Sequence, residues 1–252
     1  MIAFITGATA GIGKATAELF AKNGYNIIIT GRRKERLDEF SAHLKSTYKV
    51  EVLCLNFDVR NNKEVETAIK SLTNDWKKVD VLVNNAGLAV GLSTIQDGDI
   101  DDWERMIDTN IKGLLYITRH LSPILISNGS GHIINIGSIA GKEVYANGNI
   151  YCATKHAVDA LSKSMRIDML PFNIKVTAIN PGLVETEFSE VRFKGDKERA
   201  KKPYLGIQPL MAEDIAETIY WCATRPAHVN INDIIITPSV QANATNTFRK
   251  SS

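Results

Sequence analysis

The chain has 252 residues, 44% hydrophobic and 23% charged, enough for one sizeable α/β core or two small domains. A net charge of +2 is too near balance to point to nucleic acid or an anionic membrane surface. Cys54, Cys152 and Cys222 lie far apart and the five histidines form no metal-binding spacing, so neither a disulfide framework nor a metal centre is expected, and a reducing cytosol is the expected compartment.

The chain opens on an expected strand, "IAFIT" (2–6), which runs through a glycine-rich turn into an amphipathic helix over about 12–23. No basic segment precedes that short apolar run, so a signal peptide is not expected. Further β-branched strands follow at 25–30, 50–55, 79–84, 132–136 and 174–179, separated by helices over about 33–46, 61–75, 102–127 and 149–170. The uncharged span His120–Gly141 is interrupted by Pro123 and Gly129, and reads as helix end, loop and strand rather than a membrane span. A charged insert around 186–210 carries no strand periodicity; a helix near 212–225 and a seventh strand at 231–237 close the pattern. Several strands are apolar at consecutive positions, as in parallel sheets covered on both faces. The expected fold is therefore α/β: one Rossmann-type, doubly wound domain over 1–252, with seven parallel strands and helices on both faces.

The first turn, "ITGATAGIGK", spaces its glycines Gly-x-x-x-Gly-x-Gly. Glycines let the backbone approach a pyrophosphate, and the following helix start offers free N–H groups with a favourable dipole. A NAD site ordinarily has an acid at the end of the second strand to hold the ribose 2′-hydroxyl. This chain reads "ITGRRKER" there. Arg32 and Arg33 suit a 2′-phosphate instead, so NADP(H) is the expected cofactor.

Asp58-Val59 after the third strand, "NNAG" (84–87) after the fourth, Asn110, Ser138, Tyr151, Lys155, Pro181-Gly182 and Thr186 complete a set. Together they resemble the short-chain dehydrogenase/reductase family over nearly the whole chain. The resemblance implies that Gly7, Thr9, Gly11, Ile12 and Gly13 frame the pyrophosphate and that Asp58 and Val59 meet the adenine. It further implies that Asn85, Ala86 and Gly87 border the adenosine ribose, while Pro181, Gly182 and Thr186 border the nicotinamide. Asn84 is expected to bond backbone rather than ligand. Family members assemble as tetramers or dimers through the two long helices, which the resemblance extends to this chain.

The implied reaction moves a hydride between the nicotinamide and a carbinol or carbonyl carbon, leaving an oxygen that must lose or gain a proton. Tyr151 and Lys155, four residues apart, share one helix face. Alone such a pair is ordinarily a solvated surface. Here a cation one turn away would favour the phenolate of a tyrosine whose ordinary pKa is about 10. Ser138 can donate to the substrate oxygen. Lys155 would also hold the nicotinamide ribose, and Asn110 would position a relay water, as the family implies. Cys152, off the Tyr151–Lys155 face, reads as packing.

"PGLVETEFSEVRFKGD" (181–196) and "RPAHVNINDIIITP" (225–238) are similar to one branch of the family, the NADP-dependent 3-hydroxy acid dehydrogenases. Members of that branch are also described as serine or L-allo-threonine dehydrogenases and malonic semialdehyde reductases. A small substrate carboxylate needs a cation, and Arg192 is the candidate in the insert. The competing expectations are a reductase of bulkier carbonyls, such as 3-oxoacyl thioesters, and an NADP-sensing binding protein without catalysis.

Overall fold

In the computed structural model, which describes residues 1–250, the elements run in chain order as follows. The first half comprises β1 (Ile2–Ile5), α1 (Gly11–Lys22), β2 (Asn26–Gly31), α2 (Lys34–Tyr48), β3 (Val52–Asn56), α3 (Asn62–Lys70) and β4 (Val81–Asn84). Then come α4 (Ile100–Ile107), α5 (Leu114–Asn128), β5 (Gly131–Ile136), α6 (Asn149–Met169) and β6 (Ile174–Pro181). The chain continues through α7 (Glu187–Arg192), α8 (Lys197–Lys201), α9 (Ala212–Ala223) and β7 (Asp233–Ile236). The seven strands form one parallel sheet in the order β3-β2-β1-β4-β5-β6-β7, as the strand–helix alternation required. Among the described residues no helix is long and apolar enough to cross a membrane.

Alternation along each strand separates two cores. Ile5, Ile27, Ile29 and Val83 face α1, α2 and α9, where they meet Phe20, Leu37, Leu44 and Ile219. Their neighbours Phe4, Ile28 and Leu82 face α3, α5 and α6, meeting Val65, Ile117, Leu121 and Val158. Each fully buried branched side chain contributes about 1.5–3 kcal/mol, so both helical layers are firmly held. Strand order reverses between β1 and β4, and the loops leaving these two strands part there, which opens a crevice at the strands' carboxyl ends.

Local chemistry corrects two boundaries. α3 ends at Lys70 rather than near 75, because Thr73, Asn74 and Asp75 compete for their own backbone groups. Its start is as expected, with Asn61 accepting from the N–H groups of Lys63 and Glu64. The single helix expected over 102–127 is two, α4 and α5, joined by a π-helical turn at Asp108–Gly113. The charged insert holds two short helices, α7 and α8, with Thr186 capping the first through the Phe188 N–H.

His132 on β5 makes folding sensitive to acid. Thr177 donates its hydroxyl to the Ile231 carbonyl at 2.6 Å, so His132 Nε2, 2.7 Å away, must be the donor to Thr177. Nδ1 is then a buried lone pair without a partner. Burial and the nearby Lys175 cation push the His132 pKa down to about 3. The folded pKa lies below the unfolded value of about 6.5, so the neutral ring's contribution is complete above pH 6.5 and is lost as pH falls toward 3. Each pH unit in that window costs about 1.4 kcal/mol. Thermal melts from pH 7 to 4 should show this slope in the native protein and a flatter one in His132→Asn. An unchanged slope in the variant would refute it.

Candidate active site

The β1–α1 turn forms one wall of the crevice. Ala10 supplies no side-chain cap to α1, and the first turn of the helix holds no acid, so its N–H groups and dipole are left for an anion. A Cβ on Gly13 would stand 2.4 Å from the Gly7 carbonyl oxygen and from Asn85 Nδ2, so α1 reaches the turn only with glycine there. Thr6 Oγ1 accepts from the N–H groups of Asn85 and Ala86, and Asn85 Nδ2 donates to the carbonyls of Thr6 and Gly7. The "NNAG" stretch is thereby fastened to the glycine turn. Asn84 differs from expectation: it donates to Thr118 Oγ1 and Asn135 Oδ1, two buried side chains, rather than to backbone.

The crevice has a volume of about 350 Å³. Gly7, Thr9, Gly11 and Ile12 line it at the turn, and Arg32, Arg33, Asp58 and Val59 line one end. Asn85, Ala86 and Gly87 form its floor, and Ser138, Tyr151, Lys155, Pro181, Gly182 and Thr186 line the other end. Gly13, Asn110 and Arg192 are not on its wall. Gly13 is a packing glycine, as its contacts require.

The two arginines are not equivalent. Arg32 is 63% exposed and makes only a 3.8 Å pairing with Asp58, whose carboxylate is already held by two donors of Arg60. Arg33 donates to Thr9 Oγ1 at 2.8 Å and to Glu187 of α7 at 3.3 Å. Arg36, which the sequence did not single out, places Nη1 3.1 and 3.0 Å from the two Glu187 carboxylate oxygens. Burial alone would raise the Glu187 pKa; Arg36 and Arg33 reverse it and hold the carboxyl ionised. An ionic clasp thus crosses from α2 to the insert.

At the other end, Ser138 follows β5 and accepts the Ala140 N–H at 3.1 Å, which fixes its hydroxyl above the sheet. The turn after it presses on α6: a Cβ on Gly141 would stand 2.5 Å from the Lys155 carbonyl oxygen. Glycine there sets Ser138 beside the Tyr151–Lys155 turn. Lys155 is 6% exposed and donates to the Ile136 carbonyl at 2.9 Å, and burial lowers its pKa to about 8. Tyr151 departs from the expected electrostatics. Burial raises its pKa well above the ordinary value, helped by Tyr145; the Ser138 hydroxyl and the Arg192 cation act in the opposite direction. Lys155 Nζ stands 5.9 Å from the ring centroid, turned to the Ile136 carbonyl, so the cation expected to favour the phenolate is not the main one beside it.

Asn110 projects inward from the π turn. It accepts the Leu88 N–H at 2.7 Å and donates to the Leu88 carbonyl and to Thr154 Oγ1, tying the β4 loop to α6. Its Oδ1 and Lys155 Nζ both lie within 3.7 Å of the point where a Gly87 Cβ would stand. Arg192 lies over Tyr151 and Tyr145, 5.4 Å from each ring centroid, and donates to the Tyr145 hydroxyl at 2.7 Å. Phe188 packs against Tyr151 at 6.0 Å. Tyr145 and Phe188 escaped the sequence reading because both sit in segments without periodicity.

A crossover crevice with an open helix start on one wall and Ser138, Tyr151 and Lys155 on the other defines a dinucleotide-binding α/β protein with acid–base side chains beside the cofactor cleft. The chain belongs to the short chain dehydrogenase family, whose model matches residues 1–197. It is 49% identical over 243 residues to an NADP-dependent 3-hydroxy acid dehydrogenase of Salmonella typhi, covering 96% of each chain. It is 43% identical over 247 residues to the NADP-dependent 3-hydroxy acid dehydrogenase of Schizosaccharomyces pombe, covering 98% of this chain and 95% of that one. A solved closed form of serine dehydrogenase complexed with NADP+ matches with a TM-score of 0.92 and 45% identity, covering 100% of both chains.

Proposed function

We propose that the protein is an NADP(H)-dependent oxidoreductase acting on the hydroxyl carbon of a small 3-hydroxy acid such as serine, allo-threonine or 3-hydroxypropionate. The observation that carries this reading is the placement of Ser138, Tyr151 and Lys155 together on the wall of the dinucleotide crevice. The names of its relatives support the substrate class and the cofactor. The open start of α1 fits a diphosphate, and Arg32 with Arg33 fits a 2′-phosphate. Bound there, the nicotinamide accepts or supplies the hydride.

The chain's own residues handle the proton. Ser138 donates to the substrate oxygen and holds it beside the Tyr151 hydroxyl. In the oxidising direction the substrate O–H bond breaks and its proton passes to the Tyr151 oxygen; in reduction Tyr151 returns it. Lys155, with a pKa near 8, binds the ribose next to the nicotinamide and passes the proton onward. Asn110 holds the relay water near Lys155 across the gap left by Gly87. The same reading makes the protein a cytosolic homo-oligomer, tetramer or dimer; Leu115 on α5, Ile167 on α6 and Leu170 just beyond it leave apolar surface exposed for that contact.

Steady-state kinetics on serine, allo-threonine and 3-hydroxypropionate with NADP+ and NAD+ test the proposal. The expected result is turnover of at least one acid with NADP+ strongly preferred. Preference for a 3-oxoacyl thioester, or tight NADPH binding without turnover, would overturn it.

A further inference from the structure

Arg192 is a partly buried cation with no acidic partner among the described residues. Its Nε is buried and has no acceptor. Of its guanidinium nitrogens, Nη2 donates to a neutral group, the Tyr145 hydroxyl. Arg33 and Arg36 share Glu187, Arg60 holds Asp58, and Lys194 pairs with Asp102, whereas Arg192 has no such carboxylate. A guanidinium with an idle donor beside a catalytic tyrosine calls for an external anion.

Tyr145 completes the recognition. Its oxygen accepts from Arg192, while its own O–H meets nothing stronger than the Cys152 thiol, a weak acceptor. The proton is thus free for an incoming oxygen. The Arg192 backbone is pinned as well, since its carbonyl accepts the Gly91 N–H at 2.9 Å. Arg192 lies over the rings of both Tyr145 and Tyr151, so an anion held by Arg192 and Tyr145 sits beside the tyrosine that meets the substrate oxygen.

We propose that Arg192 and Tyr145 together form a carboxylate subsite, one oxygen taking an Arg192 N–H and the other the Tyr145 O–H. The inference rests on the functional reading above and deepens it. The subsite selects short hydroxy acids over neutral alcohols of the same length, and charge recognition depends on Arg192 more than on Tyr145.

The test compares 3-hydroxypropionate with its methyl ester at saturating NADP+ in the native enzyme, Arg192→Met and Tyr145→Phe. Arg192→Met should raise KM for the acid at least 100-fold and lower the acid-to-ester ratio of kcat/KM by about as much, since any effect of the lost cation on Tyr151 falls on both substrates alike. Tyr145→Phe should raise the acid's KM roughly five- to tenfold. Calorimetric binding of propionate to the NADP+-loaded proteins gives a readout independent of turnover, and Arg192→Met should abolish it. Fluorescence titration with NADPH, unchanged in both variants, shows that they fold. Equal losses on acid and ester, or undiminished propionate binding in Arg192→Met, would overturn the subsite. A native enzyme that binds propionate through Arg192 yet oxidises neither substrate would uphold the subsite and reject the proposed reaction. Should Arg192→Met fail to fold, Tyr145→Phe decides: an unchanged acid KM in that variant overturns the proposal.

Discussion

Tyr151→Phe is expected to lower kcat by about 10³-fold or more while NADPH binds as before, since general acid–base catalysis by a positioned group is worth roughly 10²–10⁴-fold. The change removes one oxygen and keeps the ring, so the contacts with Phe188, Arg192 and Lys155 persist. Burial disfavours the phenolate at this position, and Ser138 and Arg192 counter it only in part. A hydroxyl so placed gives up its proton only where an adjacent oxygen needs one, which ties its ionisation to the reaction step. Single-turnover absorbance at saturating cofactor measures the effect; a loss smaller than tenfold would remove Tyr151 from the proton path.

The second large effect concerns cofactor choice, and the structure separates two residues that the sequence treated as a pair. Arg32 is exposed and loosely paired, so it is the one free to meet a 2′-phosphate. Arg32→Ala should lower kcat/KM for NADP+ by roughly 10- to 100-fold, the scale of a lost charge-assisted hydrogen bond, and change that for NAD+ less than threefold. Arg33 also braces Thr9 and Glu187, so Arg33→Ala should weaken both cofactors. Parallel kinetics with the two cofactors distinguish the cases. If NAD+ already matched NADP+ in the native protein, neither arginine would be a selector.

Much of this was legible in the chain because parallel strands buried on both faces write continuous apolar runs, as the centres of β1, β2 and β4 do. That the glycine turn, Ser138 and the Tyr151–Lys155 pair meet at one crevice was legible because each is set by spacing within one turn or one helix at a strand's carboxyl end. The Arg36–Glu187 clasp was not, since its partners are 151 residues apart in sequence and neither belongs to a local pattern. Tyr145 was hidden for the same reason, its partner Arg192 lying 47 residues on. The influence of Lys155 on Tyr151 was misjudged because sequence spacing gives proximity and says nothing of where an amine points. Lys155 turns to the Ile136 carbonyl.

The π turn at Asp108–Gly113 has a bearing on how this sequence can vary. A π turn is a helix carrying one residue beyond what the α pitch needs, and each residue rotates the helix by about 100°. The wider turn absorbs the surplus residue, so α4 and α5 keep the faces that an unbroken α-helix would give them, with Met106 before the joint and Ile117, Leu121 and Leu125 after it. Asn110 sits at the joint itself. Deleting one residue here would close the turn as regular α-helix, leave Ile117, Leu121 and Leu125 on their core face, and swing Asn110 away from Leu88. The extra residue therefore serves the placement of Asn110 rather than the packing of the helices on either side of it.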